Sequence, residues 1–582
     1  MSSNDWKDAK AVGERRAMWA RGARAACAAL VLAGCSNKVV DLPEPGGNET
    51  PINPGDPNDP GDGPGGGSID GPGGPSSPEA CNAGRLGRKA IWLSDIQFAN
   101  TITALLGTAA VSAEEQPDAA LKAFSQKGVV VNTSMLRTRM DYAEQAALSM
   151  TGRVGELTGC AANDDTCAQS FIADLAHRAF RRPVAAAELA DLNEVYAAGR
   201  ETSFEQGVQL ATQAIIASPS FNYRTEFGDT VLDAASGTRQ LAGPELASLL
   251  SFWLTDGPPD DELLGAAESG ALNDASEVER QVARLLGSEA AQNSVTLTLM
   301  SAWGMSNVFG SAKDPTLFPD YGPLLQSNMF EETRLFLNHA LWSEGSTVDQ
   351  VLTSRTSFVN EALADLYGVP FTGSQPTEFV EVELPADERA GLLTQASLLA
   401  ARSRTDNTSV VARGLFVRSA LLCLQRPPPP PESVIAAVQE LLAADLTERE
   451  RADFRAKTSP CMNCHSSIDG FGLMLENYDA IGRYRQELPN GDAIDPTVDL
   501  GTLGYPGVFD GAVDFATTAA EDPQFTACLA RHLAVYATGE DGLATKDCEL
   551  EPFAEAAPGE MTLPEIVTSL ARSPLLTTRS GD

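Results

Sequence analysis

Ser94-Asp95-Ile96-Gln97-Phe98-Ala99-Asn100-Thr101-Ile102-Thr103-Ala104-Leu105-Leu106-Gly107 reads as one complete helix with both ends written into it. Ser94 can cap the first turn and Gln97, three residues on, can return the bond. Ile96, Ala99, Ile102, Leu105 and Leu106 then recur at helical spacing until Gly107 ends the run. The same grammar repeats down the chain. Phe171 to Phe180 precedes Arg181-Arg182-Pro183, Gly207 to Ala217 precedes Ser218-Pro219, and Pro244 to Leu254 precedes Gly257-Pro258-Pro259; Glu277 to Leu286 and Glu331 to Trp342 follow. Alternating runs of Val, Ile and Thr are scarce, with Phe379 to Leu384 the clearest candidate strand. The fold class is therefore mostly α.

At 582 residues the chain is too long for one core and should hold about three to five domains. With 43% apolar and 21% charged residues, most of it can bury enough surface to offset chain entropy, which excludes wholesale disorder. Against 42 Lys and Arg stand 79 Asp and Glu, a net charge of -37, and such a field repels phosphate backbones. No nucleic-acid partner is expected.

The N-terminus carries Arg15, Arg16, Arg21 and Arg24, then the apolar stretch Ala25 to Ala33, then Leu32-Ala33-Gly34-Cys35. A basic region, a short apolar region and a small-residue cleavage site make an export signal, and the apolar part is too short to span a bilayer. The Leu-Ala-Gly-Cys ending resembles a bacterial lipobox. That resemblance implies that residues 1–34 are removed and that Cys35 is acylated as a membrane anchor; Ser36 after it points to the outer membrane of the cell envelope. Residues 35–80 are dense in Gly and Pro, and from 41 to 75 they have no aromatic residue and no Lys or Arg. They have nothing to bury and read as a disordered, solvated linker.

One motif carries chemistry. Cys461-Met462-Asn463-Cys464-His465 is C-x-x-C-H, the attachment sequence for c-type haem. On one helical turn two thiols can reach two vinyl groups while the adjacent imidazole supplies the proximal iron ligand. Two other readings of the motif stay open: a redox disulfide, which lacks a surrounding βαβ pattern, and a structural metal site, which lacks a fourth ligand. Met474, nine residues after His465, is the candidate distal ligand; Met561 and His532 lie further on. Six other cysteines of the exported chain form an even set. Local spacing pairs Cys160 with Cys167 and Cys528 with Cys548, leaving Cys81 and Cys423 as a third pair. No nucleophile-elbow or zinc-protease motif occurs, so no catalytic residue is assigned.

Several segments also resemble the planctomycete surface-domain and cytochrome-like proteins. They are Leu93 to Ile102, His177 to Pro183, Ser218 to Glu226, Glu245 to Leu254 with Pro258 to Leu264, and Thr408 to Gly414. The stretch after the haem motif, Ile468 to Asp479 with Gly482-Arg483, resembles the cytochrome-like domain, which carries the same C-x-x-C-H. Leu249 stands where the family has Arg, Val410 and Gly470 where it has Pro. The order of segments implies helical surface domains over 84–150, 158–227 and 238–370, a cytochrome c-like domain over 388–490, and a C-terminal helical surface domain over 508–580. It implies a cell-surface or periplasmic protein and no particular reaction. Two functions follow as expectations. One is a membrane-anchored monohaem c protein that passes electrons to a redox partner or serves a haem-dependent oxidation. The other is a non-redox surface lipoprotein that binds, for example, cell-surface polysaccharide.

Overall fold

The computed structural model describes residues 86–107, 131–161, 163–427, 446–459, 461–540, 542–545 and 547–581. The expected signal peptide, Cys35, the linker over 35–80 and Cys81 lie outside the described residues. The described chain is mostly α, as its sequence grammar requires. Helix Asp95–Leu106 has the capping box read from Ser94 and Gln97, with both reciprocal bonds at 3.2 Å, and Gly107 closes it in the left-handed region. The later helices extend further than their apolar cores suggested. Examples are Asp165–Phe180, Phe204–Ala217, Ala275–Leu286 and Pro323–Trp342, each opened by a polar cap or a proline in the first turn. Among the described residues no helix is long and apolar enough to cross a membrane.

Two large cores organise these helices. The smaller is built from Asp95–Leu106, Thr133–Leu148, Asp165–Phe180, Ala186–Arg200 and Phe204–Ala217, around Phe98, Ile102, Ile172, Val208, Ile215 and Phe221. The larger takes in Leu86 and then runs from Leu241 to Leu576. Its central helix Gly243–Thr255 is buried from Leu246 through Leu254, so Leu249 sits fully inside apolar packing.

Short antiparallel pairs tie distant segments together. Lys89–Trp92 pairs with Tyr223–Glu226, and Thr356–Val359 pairs with Val380–Glu383, the strand expected at Phe379 to Leu384. Strand Thr238–Gln240 lies between Thr230–Asp233 and Thr578–Arg579, which brings the C-terminal end of the chain against its middle. The Gly-rich stretch 490–511 holds the pair Thr497–Asp499 and Val508–Asp510 within loop. Asp256 links the two cores: it accepts bonds from Gln97 Nε2 at 3.3 Å, Ser294 Oγ at 2.8 Å and Tyr536 Oη at 2.5 Å.

One buried carboxyl beside the large core titrates in a useful range. Glu332 accepts bonds from Ser357 Oγ at 2.7 Å and Tyr367 Oη at 2.8 Å, yet burial pushes its carboxyl up to about 7. Because its folded value lies above that of an unfolded Glu, the folded state binds the extra proton. Its contribution is fully present below pH about 4.5 and is lost as pH rises through about 7. Urea unfolding of Glu332→Gln and parent at pH 5 and pH 8 should show the variant gaining about 2.5 kcal/mol on the parent between the two. Equal differences at both pH values would rule Glu332 out as the source.

Candidate functional site: a C-x-x-C-H turn and its carboxylate partner

Helix Glu448–Lys457 opens with a capping box between Thr447 and Glu450 and ends in Arg455 and Lys457, charges that suit the two ends of its dipole. The chain then turns so that Met462 N donates to Thr458 O at 3.0 Å, and Cys461 leads into the single turn Met462–His465. Cys464 N and His465 N both donate to Cys461 O, at 3.2 and 3.0 Å. The motif therefore lies on one helical turn, with both thiols half-buried. Cys461 and Cys464 are the free cysteines among the described residues. Two large apolar side chains stand exposed on the same two packed helices, Phe454 at 49% and Met462 at 43%.

His465 is held from behind. Its Nδ1 lies 2.9 Å from Asp469 Oδ1, and Asp469 Oδ2 accepts a bond from Arg455 Nε at 2.8 Å. The Arg455 and Asp469 side chains are each 5% exposed and that of His465 19%, so the charged pair is buried while the imidazole keeps an edge toward solvent. Asp469 opens helix Asp469–Leu473, which packs against helix Val410–Phe416 through glycines: a Cβ on Gly472 would lie 1.9 Å from Val410 O, and one on Gly414 2.2 Å from Ile468 O. Gly470 is similarly confined, since a Cβ there would meet Leu500 Cδ2 at 2.7 Å.

The remaining sequence-derived residues fall elsewhere. Met474 is fully buried within the large core. Cys160 and Cys167 are disulfide-bonded as spacing suggested. Cys528 is not paired with Cys548: it bonds Cys423 across 105 residues, and Cys548 is disulfide-bonded in another pair. Proximity in the fold overrides proximity in sequence here, because the turn after Leu422 packs on helix Pro523–Thr538. His532 is buried. It stands 3.4 Å from Cys528 Sγ, its Nε2 lies 2.7 Å from Ala420 O, and burial lowers its value to about 4. Cys423, Cys528 and His532 are close enough to hold a metal ion, but the two sulfurs are bonded to each other.

Three family models match the chain. Residues 167–226 match PSD5, a protein of unknown function (DUF1595), residues 241–369 match PSD4, a protein of unknown function (DUF1592), and residues 389–488 match PSCyt3, a protein of unknown function (DUF1588). The chain carries domains of the planctomycete cytochrome-like families. No curated protein and no solved structure matches it. The cytochrome-like match contains the whole of the C-x-x-C-H turn, Asp469 and Arg455. Arg455 and Asp469 were not singled out from sequence. Asp469 follows His465 at the i, i+4 spacing that brings helical side chains together, a signal present in the sequence; Arg455 reaches it from a separate helix.

Proposed function

We propose that this planctomycete cytochrome-like protein is an exported monohaem c protein in which Cys461 and Cys464 hold haem covalently and His465 is its proximal ligand, serving electron transfer or a haem-dependent oxidation. The observation that carries the reading is the pair of free thiols on one helical turn with an imidazole whose Nδ1 is already occupied. Such a group supplies reversible one-electron chemistry. The residues present fit it. The thiols are left out of the disulfide pairs, His465 keeps Nε2 for a metal, and exposed Phe454 and Met462 offer apolar surface that a flat, greasy cofactor would cover. Met474 is the distal candidate carried from the sequence. Cys35 is the lipid anchor in the same reading, which places the protein at the cell envelope, at the outer membrane.

The test is a haem stain after denaturation, with absorbance spectra, on full-length protein made alongside cytochrome c maturation factors. Parent protein should carry covalent haem, and replacing both Cys461 and Cys464 with Ala should abolish it. Parent protein without covalent haem sinks the reading. That outcome would favour a non-redox binding module, which has its own support in an open cleft of about 830 Å³ walled by Glu448, Glu450, Asp479, Arg483, Arg485 and Asp492. Such carboxylates and guanidinium groups suit the hydroxyls of a polysaccharide.

A further inference from the structure

We infer that Asp469, held by Arg455, is a positioning residue that fixes the tautomer and orientation of His465 and biases a haem iron bound there toward its ferric state. The inference rests on the haem reading above and goes beyond it to how the site sets its potential. A carboxylate oxygen accepts, so the 2.9 Å contact assigns Nδ1 of His465 as the donor and leaves Nε2, on the other side of the ring from Asp469, as the nitrogen for iron. The second carboxylate oxygen is fixed by Arg455 Nε at 2.8 Å, so Asp469 has little freedom to swing away. Both side chains are buried, so water does not compete for the carboxylate oxygen that faces His465, although the adjacent Arg455 offsets part of its charge. The backbone under Asp469 is fixed as well, because its helix lies against Val410–Phe416 with no room for a side chain at either facing glycine.

The chemical consequence follows from the acceptor's charge. A carboxylate on Nδ1 makes the imidazole a stronger donor through Nε2, which stabilises ferric iron more than ferrous and lowers the potential. A carbonyl or amide acceptor does this less. The site therefore belongs at the low-potential end of what its ligand set allows.

Redox titration of haem-loaded Asp469→Asn and Asp469→Glu against parent decides it, with a denatured haem stain and a thermal melt on each. Asp469→Asn keeps size and removes charge. Its ferric-to-ferrous equilibrium should shift about tenfold toward ferrous, which is 59 mV for one electron, with a changed ferric spectrum. Asp469→Glu restores the charge and should move back toward parent. A purely structural Asp469 predicts lower melting temperatures with unmoved potentials in both variants, and that result overturns the inference; so does a fall in potential in Asp469→Asn. If Asp469→Asn does not mature, Asp469→Ser, which removes the charge with a smaller side chain, takes its place, and an unmoved potential there again overturns the inference. Parent protein lacking covalent haem removes both readings, whereas haem retained at an unmoved potential removes only this one.

Discussion

Gly472→Ala is expected to destabilise the cytochrome-like region by more than about 3 kcal/mol, beyond the usual cost of overpacking a core. The added methyl would lie 1.9 Å from Val410 O, 2.6 Å from Val410 C and 2.9 Å from Val410 Cα, all backbone atoms that no rotamer change can move. Relief requires helices Val410–Phe416 and Asp469–Leu473 to part, and the first of these carries Arg413. That fully buried guanidinium donates to Leu475 O at 2.7 Å, Tyr478 O at 2.8 Å and Asp479 O at 2.7 Å. Hydrogen bonds from a charged donor contribute about 1.5 to 3 kcal/mol each, so moving the helix costs bonds as well as packing. Gly265→Ala is the internal comparison. It lies inside helix Asp261–Glu268 with open space around its Cβ position, and there alanine should be neutral or stabilising by up to about 1 kcal/mol. Urea unfolding followed through the region's own tryptic cleavage rate would measure both. A Gly472→Ala protein as resistant as parent would mean that the two helices do not pack this closely.

What could be read in the sequence was what lies within a few residues. The capping box at Ser94, the helical class and the Cys160–Cys167 bond all depend on spacings of three to seven residues, and all stand in the structure. The C-x-x-C-H turn belongs with them, because one helical turn is a local object. Cys423–Cys528 could not be read this way: its partners are 105 residues apart and meet only because the turn after Leu422 docks on helix Pro523–Thr538. The pairing of Lys89–Trp92 with Tyr223–Glu226 is of the same kind, since four-residue strands carry too little alternation to announce a partner. At the site, Asp469 sat in a quoted motif without a role until its carboxylate was seen between His465 and Arg455. A charge acquires a chemical function from what faces it, and that depends on how separate helices cross.

Glu226→Gln should cost about 3 to 5 kcal/mol, the price of breaking a buried ion pair and leaving charge behind. Glu226 is fully buried and ties together three distant parts of the chain. Arg579 Nε donates to its Oε2 at 2.8 Å from the C-terminal strand, and Arg224 Nη1 stands 2.9 Å from its Oε1 without hydrogen-bond geometry. Strand Lys89–Trp92 adds Lys89 to the same cluster, its Nζ donating to Thr538 O at 2.6 Å. Burial alone would raise the Glu226 carboxyl, but Arg224, Arg579 and Lys89 together hold it below the ordinary Glu range. Removing its charge leaves the buried Arg224 and Arg579 facing each other in the interior, with half-buried Lys89 beside them. The sign of the pH dependence follows: because the folded value lies below the unfolded one, this stability is present above pH about 4.5 and is lost as pH falls through the depressed folded value. Chemical unfolding at pH 7 and pH 3 should therefore show a parent-to-variant gap that narrows in acid. Pairing Glu226→Gln with Arg579→Met should recover part of the loss, since the second change removes a charge that the first stranded. A single variant losing less than about 1 kcal/mol at pH 7, with no recovery in the double, would mean that the strand carrying Arg579 is held by its backbone bonds to Thr238–Gln240 and not by this carboxylate.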